Sequence, residues 1–154
     1  MPQIPLSYRY RIERRTDGYH YRFPELPEAD FAAATTAEGA AEMSGRITAA
    51  LAARIKAGRL PEERRAHAGE GVARVLPSLA AKLLFVAKSE ESGAYPAEIA
   101  RRLGITSQEA QRLYRLEHAT KIDAVNAALA ALGWRLTLGV EPLEADAKKA
   151  APEE

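Results

Sequence analysis

Polar side chains that can read nucleic acid recur along one short segment of the chain. They stand at the three- and four-residue intervals of one helix face and are Ser107, Gln108, Gln111, Arg112 and Arg115. Glutamine can pair with adenine through two hydrogen bonds, and arginine can do the same with guanine or can grip a phosphate. These residue types at this spacing predict a helix that enters the major groove of double-stranded DNA. The alternative is an ordinary amphipathic helical hairpin with a polar outer face.

A helix, a tight turn and a second helix are predicted to position this face. Gly104 allows the turn, and Thr106 with Glu109 forms a Thr-x-x-Glu capping box for the second helix. The inward-facing residues are Ile99, Ala100 and Leu103 in the first helix and Ala110, Leu113 and Leu116 in the second. The pattern is typical of a helix-turn-helix.

A further helix from Ile122 to Leu132 and an alternating segment from Trp134 to Val140 follow. The alternation predicts a strand that has no partner nearby in sequence. It is expected either to pair with its twofold equivalent in a second chain or to fold back on its own helices. Pairing would supply two recognition helices for two half-sites of DNA. The predicted dimerisation residues are Val125, Leu129, Leu132, Trp134, Leu136 and Leu138.

The N-terminal half predicts a β-hairpin followed by a helix. Aromatic and charged residues alternate on both sides of a turn at Asp17 and Gly18, which places the aromatic side chains on one face. Gly39 and Gly45 inside the helix predict close packing on the sheet. The predicted elements are the hairpin over Tyr8 to Phe23, a short strand over Phe31 to Thr35, a helix over Thr36 to Ala57, a loop over Arg59 to Gly71 and a short strand over Val72 to Leu76.

Composition narrows the possible functions. The 154 residues carry 22 Lys and Arg against 21 Asp and Glu, a net charge of +1 that excludes a globally basic nucleic-acid coat. The chain has 32 alanines, so its cores are small, and self-association or a partner is expected. The absence of cysteine excludes disulfides and thiolate metal sites, and the three scattered histidines predict no zinc site and no cofactor. No leader or membrane span is seen, which predicts a cytoplasmic protein.

The order of these pieces resembles the HicB antitoxin family. In the first half the resemblance rests on Asp17-Gly18-Tyr19, the run from Phe23 to Pro27 and the run from Thr35 to Glu38; in the second half it rests on Lys82, Ile99 to Ile105 and Thr120 to Gly133. It implies an α+β fold with a partial RNase H-like domain over residues 1–76, made of a small antiparallel sheet and one helix. An all-α helix-turn-helix domain that ends in a short strand follows over residues 77–140. Residues 141–154 are predicted to form a disordered acidic tail.

The resemblance also implies a function. It predicts a type II antitoxin that neutralises a HicA-like mRNA-cleaving toxin and, as a homodimer or higher oligomer, represses its own operon on double-stranded operator DNA. Lys121 joins the predicted DNA contacts. An acidic loop is predicted to face the basic, RNA-binding toxin, and its residues are Phe23, Glu25, Leu26, Glu28 and Asp30.

Catalysis by the RNase H-like domain is not expected. Such catalysis needs several carboxylates that converge on paired metal ions, and the first strand offers only Glu13. The competing hypothesis from another class is a stand-alone helix-turn-helix transcription regulator whose N-terminal domain senses a small molecule or mediates assembly.

Overall fold

A computed structural model describes residues 5–59 and 71–143, which divide into two compact units. One unit comprises Met1–Val75 together with the residues from Val140 onward, and the other comprises Leu76–Gly139. The boundary expected from the sequence, after Leu76, lies one residue from this division. Most of the predicted loop over Arg59 to Gly71 and residues 144–154 of the predicted tail lie outside the described residues. Within the described ranges, no helix has the length and apolar character needed to cross a membrane.

A four-stranded antiparallel sheet forms the N-terminal unit. Its strands lie in the order β3-β2-β1-β4, and they are β1 (Ser7–Arg15), β2 (Gly18–Arg22), β3 (Phe31–Ala33) and β4 (Gly71–Arg74). Arg15 pairs with Gly18, whose φ of 131° lies in a region that favours glycine. The predicted hairpin and short third strand are therefore confirmed, and the fourth strand begins and ends slightly earlier than predicted.

Aromatic side chains fill the space between this sheet and the long helix α1 (Thr36–Lys56). The Tyr21 and Phe31 rings stack with centroids 4.7 Å apart, and the Tyr10 ring lies 5.8 Å from that of Phe23. Tyr8 is also buried, and desolvation raises the pKa of its hydroxyl. The alternation in the sequence thus predicts the buried face of the sheet correctly, because successive residues of a strand point to opposite faces.

The two glycines within α1 have different surroundings. A Cβ atom at Gly39 would lie 2.2 Å from the Tyr21 hydroxyl oxygen, so only glycine lets the helix approach the ring this closely. A Cβ atom at Gly45 would have no neighbour within 4 Å in the described structure. Close packing on the sheet is therefore confirmed at Gly39 and wrong at Gly45.

This difference predicts opposite effects of the same substitution on stability. Gly39→Ala is expected to lower the free energy of unfolding of the N-terminal unit by about 1–3 kcal/mol, because the Tyr21 ring must move to admit the methyl group. Gly45→Ala is expected to raise it by roughly 0.5–1 kcal/mol through helix propensity. Urea denaturation of both variants checks the pair. Equal stabilisation by the two substitutions would contradict the observed contact.

Four helices form the C-terminal unit: α2 (Pro77–Glu91), α3 (Pro96–Leu103), α4 (Ser107–Leu113) and α5 (Ile122–Ala131). Pro77 and Pro96 occupy the first turns of α2 and α3, where a missing backbone donor costs nothing. Helix α5 packs on α2 and α3, and α3 packs on α4. The core side chains with the least exposure are Leu83, Phe85, Ile99, Ala110, Val125 and Ala128.

The strand predicted over Trp134 to Val140 is absent from the structure, because the helical unit has no other described strand to pair with it. The start of the segment folds back on its own helices. Trp134 N donates to the Leu129 carbonyl at 2.9 Å, and the Lys88 ammonium lies 3.7 Å from the centroid of the Trp134 ring. Leu138 farther along is 79% exposed. Folding back, the expected alternative, thus describes the first residues of the segment only.

Candidate functional site

The two helices α3 and α4 meet at a turn that fixes where α4 begins. Gly104 ends α3 in the left-handed conformation with φ 65°. The Thr106 hydroxyl accepts a hydrogen bond from Glu109 N at 3.1 Å, and the Glu109 carboxylate accepts one from Thr106 N at 2.8 Å. This is the predicted capping box, and it satisfies backbone donors at the start of the helix.

The outer face of α4 is open to a ligand. Its exposed side chains are Ser107, Gln108, Gln111 and Arg112. On the opposite face, Ala110 and Leu113 are buried. Among the residues that the structure describes, none forms a hydrogen bond or an ion pair with the side chains of Gln111 and Arg112. The face therefore presents its amide and guanidinium groups without internal competition.

The other two predicted DNA contacts flank α4 rather than lie on its face. Helix α4 ends at Leu113, so Arg115 stands in the following turn and not on the helix as predicted. Lys121 is the residue that precedes α5. Both side chains are exposed. A donor from another helix bonds to the Arg112 carbonyl at the end of α4 and to two carbonyls beyond the helix.

That donor is Lys82, a buried lysine on α2. It is 2% exposed, and its ammonium donates to the carbonyl oxygens of Arg112 at 3.1 Å, of Arg115 at 2.8 Å and also of His118. Carbonyls at a helix C-terminus lack internal donors and attract positive charge. Burial lowers the pKa of Lys82, and the nearby Glu117 carboxylate opposes that shift. In the sequence, Lys82 stands out as a charge within an apolar run and as part of the family resemblance, and neither signal identifies its partners.

Two further side chains of α2 contact the side chain of Tyr114, the residue after α4. The Ser89 hydroxyl donates to the Ala94 carbonyl at 2.5 Å and lies 2.5 Å from the Tyr114 hydroxyl. The Phe85 ring meets the Tyr114 ring edge-on with centroids 5.0 Å apart. Ser89 and Lys82 are the two buried polar side chains among the described residues. Sequence reasoning missed both roles, because their partners lie far along the chain.

The predicted toxin-facing loop is partly core. Phe23 and Leu26 are 1% and 0% exposed, so they pack inside the N-terminal unit, which corrects their assignment to a partner-facing surface. Phe23 continues the aromatic face of β2. A short 3-10 helix over Pro27–Ala29 follows Leu26.

The carboxylates of this loop are largely engaged within the unit. Asp30 accepts from Phe23 N at 2.7 Å, and Glu28 accepts two hydrogen bonds from Arg54 at 2.7 and 3.1 Å. The Arg54 hydrogen bond holds the pKa of Glu28 below its usual value. Glu25 differs, since its Oε1 is buried without a hydrogen-bond partner in the described structure. The loop therefore offers less free negative charge than the sequence indicates.

Glu13 lies in a ring of arginines on the open face of the sheet. Its carboxylate is 2.9 Å from Arg15, 3.4 Å from Arg11 and 3.6 Å from Arg22, and the Arg15 hydrogen bond lowers its pKa most. This is the environment of a solvated ion-pair cluster. Over residues 5–59 and 71–143, no group of three or more histidine or carboxylate side chains is placed to hold a metal ion.

The predicted dimerisation residues divide into two groups. Val125 and Leu129 are 0% and 3% exposed within the C-terminal unit itself, which corrects their assignment to an intermolecular contact. Their place on the inner stripe of α5 explains the burial, since α5 packs on α2 and α3. Leu132 and Leu136 are half-buried, while Trp134 and Leu138 are exposed. The members of this set that stay exposed thus lie along the segment after α5.

Comparison with known proteins finds similarity to antitoxins over most of the chain. No family model matches the sequence. The chain is 34% identical over 138 residues to Antitoxin HicB 2 of Photorhabdus laumondii, a match that covers 86% of this chain and 95% of the relative. It is 35% identical over 130 residues to Antitoxin HicB 1 of the same organism, covering 80% and 79%. It is also 35% identical over 124 residues to Antitoxin HicB of Escherichia coli, covering 79% and 88%.

Proposed function

The chain belongs to the HicB antitoxin family, and on this premise we propose that it neutralises a HicA-like mRNA-cleaving toxin and represses its own operon. Its role is regulatory rather than catalytic, in keeping with relatives that are antitoxins. The two activities belong to separate units of the chain: the sheet unit binds the toxin in the cytoplasm, and the helical unit binds operator DNA.

The exposed outer face of α4 carries the proposal of repression. A helix of this kind fits the major groove, where Gln111 and Arg112 match the donor and acceptor patterns of adenine and guanine. Arg115 and Lys121 at its flanks suit phosphate contacts, which position a protein on DNA without reading sequence. Buried side chains on the inner face anchor α4 in the unit, so the ordering cost of binding DNA falls on its exposed side chains and not on the helix backbone.

Neutralisation of the toxin is assigned to the N-terminal unit. The exposed part of the loop with Glu25, Glu28 and Asp30 is the proposed contact, and Phe23 and Leu26 support it from the core. Because two of these carboxylates are already paired internally, we expect charge to guide the encounter more than to supply affinity.

Both activities can be tested together with the full-length chain. It is incubated with the small toxin encoded beside it and an RNA substrate, and separately with the DNA upstream of its gene. We expect the cleavage of RNA to stop at a molar excess of the chain and the upstream DNA to be bound in preference to unrelated DNA. DNA binding without neutralisation of the toxin would instead support a stand-alone transcription regulator. Neutralisation of the toxin without DNA binding would contradict the proposed repression of the operon.

Dimerisation is assigned to the segment from Trp134 to Val140. Pairing with the same segment of a second copy would bury its exposed apolar side chains and would supply the strand partner that it lacks in the described residues. The antiparallel pairing would bring two α4 helices to two half-sites.

Leu138→Glu is expected to weaken this dimer by about 1–3 kcal/mol, because the substitution places an unpaired carboxylate in an apolar contact. Thr137→Glu is the matched control, since it adds the same charge to the neighbouring exposed residue whose side chain lies on the other side of an extended segment. Sedimentation equilibrium gives both dissociation constants. Equal constants for the two variants would show that Leu138 is not in the contact.

A further inference from the structure

We infer that Lys82 is a positioning residue for operator recognition, and this inference rests on the proposed repressor function. Its ammonium joins the last-turn carbonyl of Arg112 in α4 to the carbonyls of Arg115 and His118 beyond the helix, and it thereby sets the place from which Arg112 and Arg115 extend. Lys82 does not touch DNA in this scheme, because it is 2% exposed and points into the helical unit.

The Lys82 ammonium and the carbonyls around it match in the number of donors and acceptors and in the sign of their charges. An ammonium has three N–H donors, and the carbonyls of Arg112, Arg115 and His118 accept from it. A buried cation is costly unless its donors are satisfied, and each charge-assisted hydrogen bond is stronger than a neutral one. The three carbonyls must therefore stay together around Nζ, which fixes the path of the chain from residue 112 to residue 118.

The side chains of Tyr114 and Leu116 anchor this stretch, but its backbone has few hydrogen bonds of its own. Helix α4 has ended, and the hydrogen bonds from Arg115 N to the Arg112 carbonyl and from His118 N to the Arg115 carbonyl are both 3.2 Å long. That length is the upper end of the usual range for such bonds. The same stretch leads to Lys121, so three of the six proposed DNA contacts depend on a segment that one ammonium organises.

A positioning role and a purely structural role predict different effects on the ratio of operator affinity to non-specific affinity. Non-specific binding depends on the number of positive charges near phosphate and tolerates small displacements. Base readout requires side chains to meet base edges in a fixed geometry. Loss of positioning therefore lowers the ratio of operator affinity to non-specific affinity, while loss of stability alone lowers the folded fraction and leaves that ratio unchanged.

The experiment compares Lys82→Met with Ser89→Ala in the full-length chain. Methionine keeps most of the length of the side chain and removes the donors. Ser89→Ala removes the other buried polar group of α2, which contacts Ala94 and Tyr114 but none of the three carbonyls. Circular dichroism gives the melting temperature of each variant, and fluorescence anisotropy at a temperature where each is folded gives its affinity for the operator and for a scrambled duplex.

We expect Lys82→Met to lower the ratio of operator to scrambled affinity by roughly tenfold or more, as the loss of one base contact would. Ser89→Ala is expected to lower the melting temperature and to keep the wild-type ratio. If Lys82→Met does not fold, Lys82→Gln replaces it, because its amide retains two donors without the charge; its ratio is expected to fall as well.

A wild-type ratio in whichever Lys82 variant folds would overturn the positioning role and leave the repressor proposal standing. A similar fall of the ratio in Ser89→Ala would also overturn it, because any destabilisation of the unit would then suffice. A wild-type chain that does not prefer its operator would instead overturn the proposed function, and with it this inference.

Discussion

Replacement of both Gln111 and Arg112 by alanine is expected to bring operator affinity close to that for unrelated DNA. Each lost base contact costs about 1–3 kcal/mol, so the double substitution removes about 2–6 kcal/mol of specific binding free energy. Both side chains are exposed and have no described internal partner, so the melting temperature should not change. The effect is thus one of recognition and not of folding.

Fluorescence anisotropy with operator and scrambled duplexes at several salt concentrations measures this loss. If Arg112 grips a phosphate and not a base, the salt dependence of log affinity falls by about one unit and the loss extends to scrambled DNA. Arg46→Ala is the matched control, because it removes an exposed arginine from the other unit, where it pairs with Glu42. Full operator affinity in the double variant would exclude α4 as the recognition helix.

Phe23→Ala is expected to unfold the N-terminal unit and abolish neutralisation of the toxin. The side chain is 1% exposed and packs against Tyr10 and Phe31, and truncation of a buried phenylalanine costs about 3–5 kcal/mol. A unit with so small a core is close to the limit of its stability. Operator binding should survive, because the residues proposed to contact DNA belong to the other unit.

Glu25→Gln tests the same loop with a nearly isosteric change. We expect it to keep the unfolding transition of the wild type and to slow association with the toxin, since a charge near an interface changes the rate of encounter. Urea denaturation and surface plasmon resonance provide the two readouts. If Phe23→Ala keeps the unfolding transition of the wild type but no longer binds the toxin, the side chain of Phe23 contacts the toxin, as the sequence motif predicted, and is not held in the core.

Local patterns predicted those parts of the fold that local physics determines. The alternation from Tyr8 to Phe23 gave the buried face of the sheet, because a strand has a period of two. The Thr106 and Glu109 pair gave the start of α4, because a capping box involves residues only three positions apart.

Parts that depend on distant contacts were not predictable in this way. Arg115 lies beyond the end of α4, and its carbonyl and that of Arg112 accept hydrogen bonds from Lys82, some thirty residues earlier in the chain. Leu26 looked like part of a recognition loop, yet it is fully buried in the unit. A motif indicates which residues recur together, and it does not say which of them face inward.

The segment from Trp134 to Val140 shows a further limit of prediction from sequence. Its alternation is a property of the sequence, but a strand forms only when a second strand supplies hydrogen-bond partners. None of the described strands pairs with this segment, so it has no regular secondary structure, and Leu138 is exposed. Its strand character is expected to emerge in a dimer.

The claim that the outer face of α4 reads duplex DNA is tested most directly by a hydroxyl-radical footprint of the full-length chain on the DNA upstream of its gene. We predict two protected half-sites about 34–36 Å apart or a multiple of that spacing, as expected for a dimer with one α4 helix in each major groove. The variant with alanine at positions 111 and 112 should leave both unprotected. An equally strong footprint from that variant, or no footprint from the wild type, would contradict the account.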